Sequence, residues 1–202
     1  MLRVANPDPN DPPARDRATT LLTTVLFACA ALSVLAMVST WGVGWMSDDW
    51  LILDRALTRS LVTPEPNHFS LPMALLWWIG GLLDSPIPAR VVALACHLTT
   101  TLLVLPRTVR LLFPDWDPKA GRWVGLAVLC LSSCVEPLVW ACTAGYAIVG
   151  LWVNLSVYAH LRWLETERTP WRFASLAAMA GGLLSWEMGV CTPALIVLAS
   201  FI

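Results

Sequence analysis

Residues 21–50 read LLTTVLFACAALSVLAMVSTWGVGWMSDDW, and the two ends of that stretch pose different questions. Leu21 to Trp41 carries no charge over about 20 residues, the length an α-helix needs to cross a bilayer. Beyond it, Asp48 and Asp49 stand side by side between tryptophans, at what would be the membrane edge. A cleaved signal peptide competes for the first segment, because Ala28-Cys29-Ala30 resembles a cleavage site and Leu26 to Cys29 a lipoprotein box. Both lie in the middle of an apolar run that continues to Val38, whereas a signal's apolar core is about 7–15 residues long. The segment therefore reads as an uncleaved anchor.

The composition agrees. Of 202 residues, 57% are hydrophobic and 13% charged, about half the charged share of a soluble domain. The apolar runs are long and continuous, which indicates helices, since barrel strands alternate over about ten residues. A net charge of −1, with no basic cluster interleaved with aromatics, excludes nucleic acid as a partner. Cys29, Cys96, Cys130, Cys134, Cys142 and Cys191 all fall in or beside apolar segments and read as small hydrophobes, with no disulfide expected. Cys130 and Cys134 stand one helical turn apart, but nothing supplies two further ligands at zinc spacing.

Residues 1–19, which include NPDPNDPP, read as a disordered cytoplasmic tail. Residues 20–202 read as one transmembrane domain. Residues 42–86 form a long outer loop with two helical segments. Asp49 to Val62 places Trp50, Leu53, Leu57 and Leu61 on one face, with Asp54, Arg55, Thr58 and Arg59 largely on the other, as in an interfacial helix. Phe69 to Leu83 is apolar but too short to span. Ile87 to Phe113 is the second span. Trp123 to Trp163 is apolar over about 60 Å at roughly 1.5 Å per residue, enough for two crossings. Glu136-Pro137 marks the break between them. Phe173 to Ile202 reads as two more, broken near Glu187. The predicted fold is an all-α, polytopic helical membrane protein with about six transmembrane helices and one or two interfacial helices in the first outer loop. The last span stops at Ile202 without cap or flanking charge, so the domain is expected to be truncated at its C-terminus.

Ten basic residues (Arg3, Arg15, Arg17, Arg107, Arg110, Lys119, Arg122, Arg162, Arg168 and Arg172) fall on one side of these spans and three (Arg55, Arg59 and Arg90) on the other. The positive-inside rule then makes the N-terminus cytoplasmic. Trp41, Trp45, Trp140 and Trp186 mark the outer interface, and Trp116, Trp123, Trp163 and Trp171 the inner one. The composition suits a bacterial inner membrane. Asp48, Asp49, Glu136 and Glu187 all converge on the outer side.

Each of these residues has a bland reading beside a functional one. Ser47 or Asp48 caps a helix and suits its dipole, yet two adjacent aspartates exceed what a cap requires. Glu136 (in SSCVEPLVW) and Glu187 (in LLSWEMGVC) are either solvated at hairpin tips or line a polar cavity, since ionisable groups near membrane depth are costly. His97 reads first as an interhelical hydrogen bonder. Arg90, outward of it, reads first as an ordinary interfacial arginine and second as a phosphate partner.

Taken in order, several segments resemble the membrane glycosyltransferases of the GT-C fold, such as protein O-mannosyltransferases, aminoarabinose transferases and the transmembrane-and-tetratricopeptide transferases. MSDDWLI is similar to the acidic motif of the first outer loop, FSLPMALLWWIGGLL to an arginine-proline-leucine segment, and ARVVALACHLTTTLLVL to a histidine-bearing span. VEPLVW is similar to a glutamate four residues before a tryptophan, and LLSWEMGVCTPALIVL to a lysine-glutamate segment followed by proline. Leu71 and Trp186 stand where that pattern has its basic residues. The resemblance covers about residues 20 to 202. It implies transfer of a sugar from a polyprenyl-phosphate-linked donor to an acceptor at the outer face. It makes Asp48 the catalytic base with Asp49 as second acid, the pair holding a divalent metal ion if one is used, and Arg90, His97, Glu136 and Glu187 substrate-binding residues. Its partners would be the lipid-linked donor, an unspecified acceptor and membrane lipids. The alternatives are a non-enzymatic membrane protein, either a transporter or an assembly subunit, and an inactive fragment. Acids at helix breaks suit ion-coupled transport, although the spans show no internal repeat.

Overall fold

The computed structural model describes residues 14–46, 53–54, 71–131, 141–185 and 187–201. The described residues are all-helical, with no strand among them. In chain order the helices are α1 (Ala14–Ser39), α2 (Leu71–Leu82), α3 (Ile87–Thr99), α4 (Leu105–Leu112), α5 (Ala120–Cys130), α6 (Gly145–Thr166), α7 (Thr169–Ser185) and α8 (Thr192–Ala199).

Among the described residues two stretches are long and apolar enough to cross a membrane: Ala18–Gly42 and Ile87–Leu112, which match the first two predicted spans. The later predicted crossings have no such match among the described residues, where the helices are short or polar. The break expected near Glu187 falls at the 3-10 turn between α7 and α8, whereas Glu136-Pro137 lies outside the described residues. Helix α5 has 11 residues and α8 has 8. Helix α6 is long enough at 22 residues, but Asn154, Ser156 and His160 interrupt its apolar character. At the other end of the chain, α1 begins at Ala14, so its first turn lies within the segment predicted as tail. Of the predicted interfacial helix at 49–62, only Leu53 and Asp54 are described. Both are helical, Leu53 buried and Asp54 exposed, as the predicted faces require.

Helices α3 and α4 form one rod joined by a π-helical turn at Thr100–Val104. The cause is Pro106, whose ring has no N–H to donate to the carbonyl of residue 102 and would collide with it in a regular helix. Widening the turn resolves this, and the Leu105 N–H bonds the Thr100 carbonyl five residues back. Helix α5 packs directly against this turn. A Cβ on Gly125 would overlap the Thr101 carbonyl, and one on Gly121 would overlap that of Pro106.

The most extensive pairing is α6 with α7. Glu167 closes α6 in the left-handed conformation (φ 53°), its N–H bonding Trp163 O at 2.7 Å, so α7 starts almost at once in the opposite direction. Ser156 and Ser175 then exchange hydrogen bonds across the pair, each hydroxyl donating to the other's carbonyl at 2.9 Å. Small polar residues bonding between close helices are a membrane-type packing device. Helix α1 is held more loosely, through contacts with α5 that include a Trp123 indole donating to Thr23 Oγ1 at 3.0 Å.

Candidate functional site

The site begins with the run that leads into Ser47-Asp48-Asp49. After α1, a 3-10 turn at Thr40–Gly42 ends in extended backbone at Val43. This run packs against the main core, which is built from Met37, Met73, Trp77, Ala89, Ala93, Ala144 and Ile148, with Trp41 and Trp45 laid against it. The two tryptophans therefore face protein to a large extent, whereas the sequence placed them simply as interface anchors. Their indole bodies are apolar enough to join a core. Gly80 makes room for one of them, since a Cβ there would lie 2.8 Å from Trp45 Cη2.

Arg90 completes the arrangement. It is fully buried, not the snorkelling surface arginine of the simplest reading. Its guanidinium donates to the Val43 carbonyl, to Gly44 O at 3.1 Å and, at a longer 3.5 Å, to Trp41 O. A planar fork of donors suits successive carbonyls of one turn of chain better than an ammonium would. Arg90 thus fixes the backbone of residues 41–44, which in sequence leads toward Asp48 and Asp49.

His97 lies two turns deeper on the same helix, three residues before the π-helical turn. It too is buried, and its carbonyl accepts from Thr101 Oγ1 at 2.8 Å. The ring does not make the interhelical bond expected of it: among the described residues its Nε2 has no partner. The buried indole nitrogens of Trp41, Trp45 and Trp77 are likewise without partners among the described residues. Buried polar groups are normally satisfied, so this set of buried nitrogens without partners among the described residues is the feature the sequence did not reveal.

Asp48, Asp49 and Glu136 lie outside the described residues. Glu187 opens the 3-10 turn Glu187–Cys191, and its side chain lies outside them as well. Among the described residues no group of three or more His, Cys, Asp or Glu could hold a metal ion. Asp48 and Asp49, the donors a divalent ion would use, are not in that set.

No protein-family profile, curated protein or solved structure matches the chain.

Proposed function

We propose that this chain is a membrane-embedded, GT-C-like glycosyltransferase domain that moves a sugar from a polyprenyl-phosphate donor to a hydroxyl acceptor at the outer face. The observation that carries the reading is the buried Arg90 clamp on residues 41–44, immediately before Asp48 and Asp49. Structural effort of this kind is expected where an acid must be held in register, because misplacement by about 1 Å can cost 100-fold in rate. A helix cap would need no buried guanidinium behind it.

Membrane embedding draws support from the surface. Leu21, Phe27, Leu32 and Leu35 on α1, and Phe173, Leu176, Leu183 and Leu184 on α7, are all largely exposed. Apolar surface on that scale requires a lipid or protein neighbour. The six-span, N-inside, inner-membrane topology belongs to this proposal.

In the proposed reaction Asp48 takes the proton of the acceptor hydroxyl. The oxygen attacks the anomeric carbon, the bond from that carbon to the phosphate oxygen breaks, and polyprenyl phosphate leaves with inversion at the carbon. A positioned carboxylate typically contributes about 10²–10⁴-fold to such a step. The indole N–H groups of Trp41, Trp45 and Trp77, without partners among the described residues, suit a ligand rich in oxygen acceptors, such as a sugar or a phosphate.

The test is transfer of labelled sugar from polyprenyl-phosphate donor in membranes carrying the protein expressed from its own locus. Asp48→Asn should abolish transfer while leaving protein level and solubilised stability unchanged. Transfer that survives Asp48→Asn sinks the reading. A phenotype that instead follows Glu136→Gln or Glu187→Gln, with Asp48→Asn silent, would favour ion-coupled transport.

A further inference from the structure

A second constellation lies at the opposite end of the α3–α4 rod. Arg107 and Arg110 on α4 stand three residues apart, hence on neighbouring positions of one helix face. Together with Arg162 on α6 they line a cleft of about 480 Å³, whose wall also includes Pro114, Tyr158 and Glu165. Three guanidinium groups therefore face one carboxylate. Glu165 is already paired with Arg162 Nη1. Arg107 spends one nitrogen on its own helix, donating to Leu103 O at 2.6 Å. Arg110 makes no side-chain hydrogen bond among the described residues, and the buried Nε of Arg162 has no partner among them. The Arg162 guanidinium is further fixed over the Trp171 ring at 5.6 Å.

Arg107 and Arg110 also line an adjoining cleft of about 330 Å³, with Arg122 on its far side and Leu102 and Leu103 on the helix turn above. Those leucines are 44% and 50% exposed. An anion-binding rim thus continues directly into open apolar surface on a span. A free phosphate would have no use for the leucines, whereas a lipid would lay its acyl chains on them.

We propose that the cleft between α4 and α6 binds the phosphate headgroup of an anionic phospholipid, held by Arg107, Arg110 and Arg162, with its acyl chains along Leu102 and Leu103. Basic pockets between helices at the cytoplasmic interface are suited to such headgroups. The proposal rests on membrane embedding and is independent of the transferase reading.

The test is native mass spectrometry of the full chain extracted from membranes in detergent, titrated with phosphatidylglycerol or phosphatidylcholine. Recovery from the membrane fraction reports on embedding separately from lipid selectivity. The wild-type chain should retain phosphatidylglycerol in preference to phosphatidylcholine. Arg110→Gln and Arg107→Gln should each weaken retention about fivefold, the effect of one charge near an anionic surface. Arg168→Gln, an exposed arginine outside the cleft, should leave it unchanged. Equal loss in Arg168→Gln would reveal nothing beyond diffuse attraction and overturn the site. So would displacement of the lipid by equimolar inorganic phosphate, which would identify a free-anion site. If Arg110→Gln cannot be purified, equal wild-type retention of the two lipids overturns the proposal by itself.

Discussion

Replacing Arg90 by Met removes the fork that holds residues 41–44 while keeping a long side chain in the core. Two of its carbonyl bonds, to Val43 and Gly44, are close, and the third, to Trp41, is stretched to 3.5 Å. Hydrogen bonds from a charged group contribute about 1.5–3 kcal/mol each, which sets an upper figure of roughly 3–6 kcal/mol. Two effects reduce it. Val43 and Gly44 are exposed residues, so water can take over part of the lost bonding, and hydrogen bonds inside helical membrane proteins average nearer about 0.6 kcal/mol. The expected loss is therefore about 1–3 kcal/mol, a five- to 150-fold change in the unfolding equilibrium constant at roughly 1.4 kcal/mol per tenfold. Arg90→Lys should recover part of this, because an ammonium offers three donors but no planar fork. The assay is equilibrium unfolding in mixed micelles, combined with amide exchange at Gly44, Trp45 and Met46. Exchange should accelerate at those amides and not in α6. A buried guanidinium that only burdened the core would behave oppositely, with Met matching or exceeding the wild-type stability. That outcome, with unchanged exchange at residues 44–46, would refute the clamp and remove the main support for a positioned acidic motif.

Gly125→Ala should destabilise the chain by about 1–3 kcal/mol, because the new methyl meets the rigid backbone of the π-helical turn. Gly150→Ala in α6 should be neutral or stabilising by up to about 1 kcal/mol, since nothing lies within 4 Å of its added Cβ; thermal unfolding in detergent separates the two. Ser156→Ala and Ser175→Ala should be non-additive in a double-mutant cycle, with a coupling of about 0.6–2 kcal/mol, because each hydroxyl bonds the other's backbone. Pro106→Ala should allow the α3–α4 rod to return to regular helical bonding, detectable as new amide protection at residue 106, which as proline has no N–H to protect.

What the sequence conveyed depended on whether the signal was local or tertiary. Hydrophobic run length located the α3–α4 rod to within a residue or two and α1 with a later start than it has, and Glu187 fell at a real interruption. The later crossings are harder to read, because α6 and α7 bury polar groups against each other: Ser156 with Ser175 is satisfied across the pair. Run length cannot distinguish a helix that faces lipid all round from one that spends a face on its neighbour. Arg90 failed for a related reason. At the edge of an apolar run an arginine ordinarily snorkels, and only the fold brings residues 41–44 under it from 46 or more positions away. His97 reads from the sequence as an interhelical hydrogen bonder, and that its Nε2 has no partner among the described residues is a tertiary fact. The two ends of the α3–α4 rod thus use arginine in opposite ways. Arg90 donates to carbonyls of the protein's own chain, which holds residues 41–44 in place. Arg110 stays exposed and without side-chain hydrogen bonds among the described residues, which leaves its charge available to a ligand. A residue type and a distance from the end of a span look alike in both cases, and the difference lies wholly in which acceptors the packing delivers.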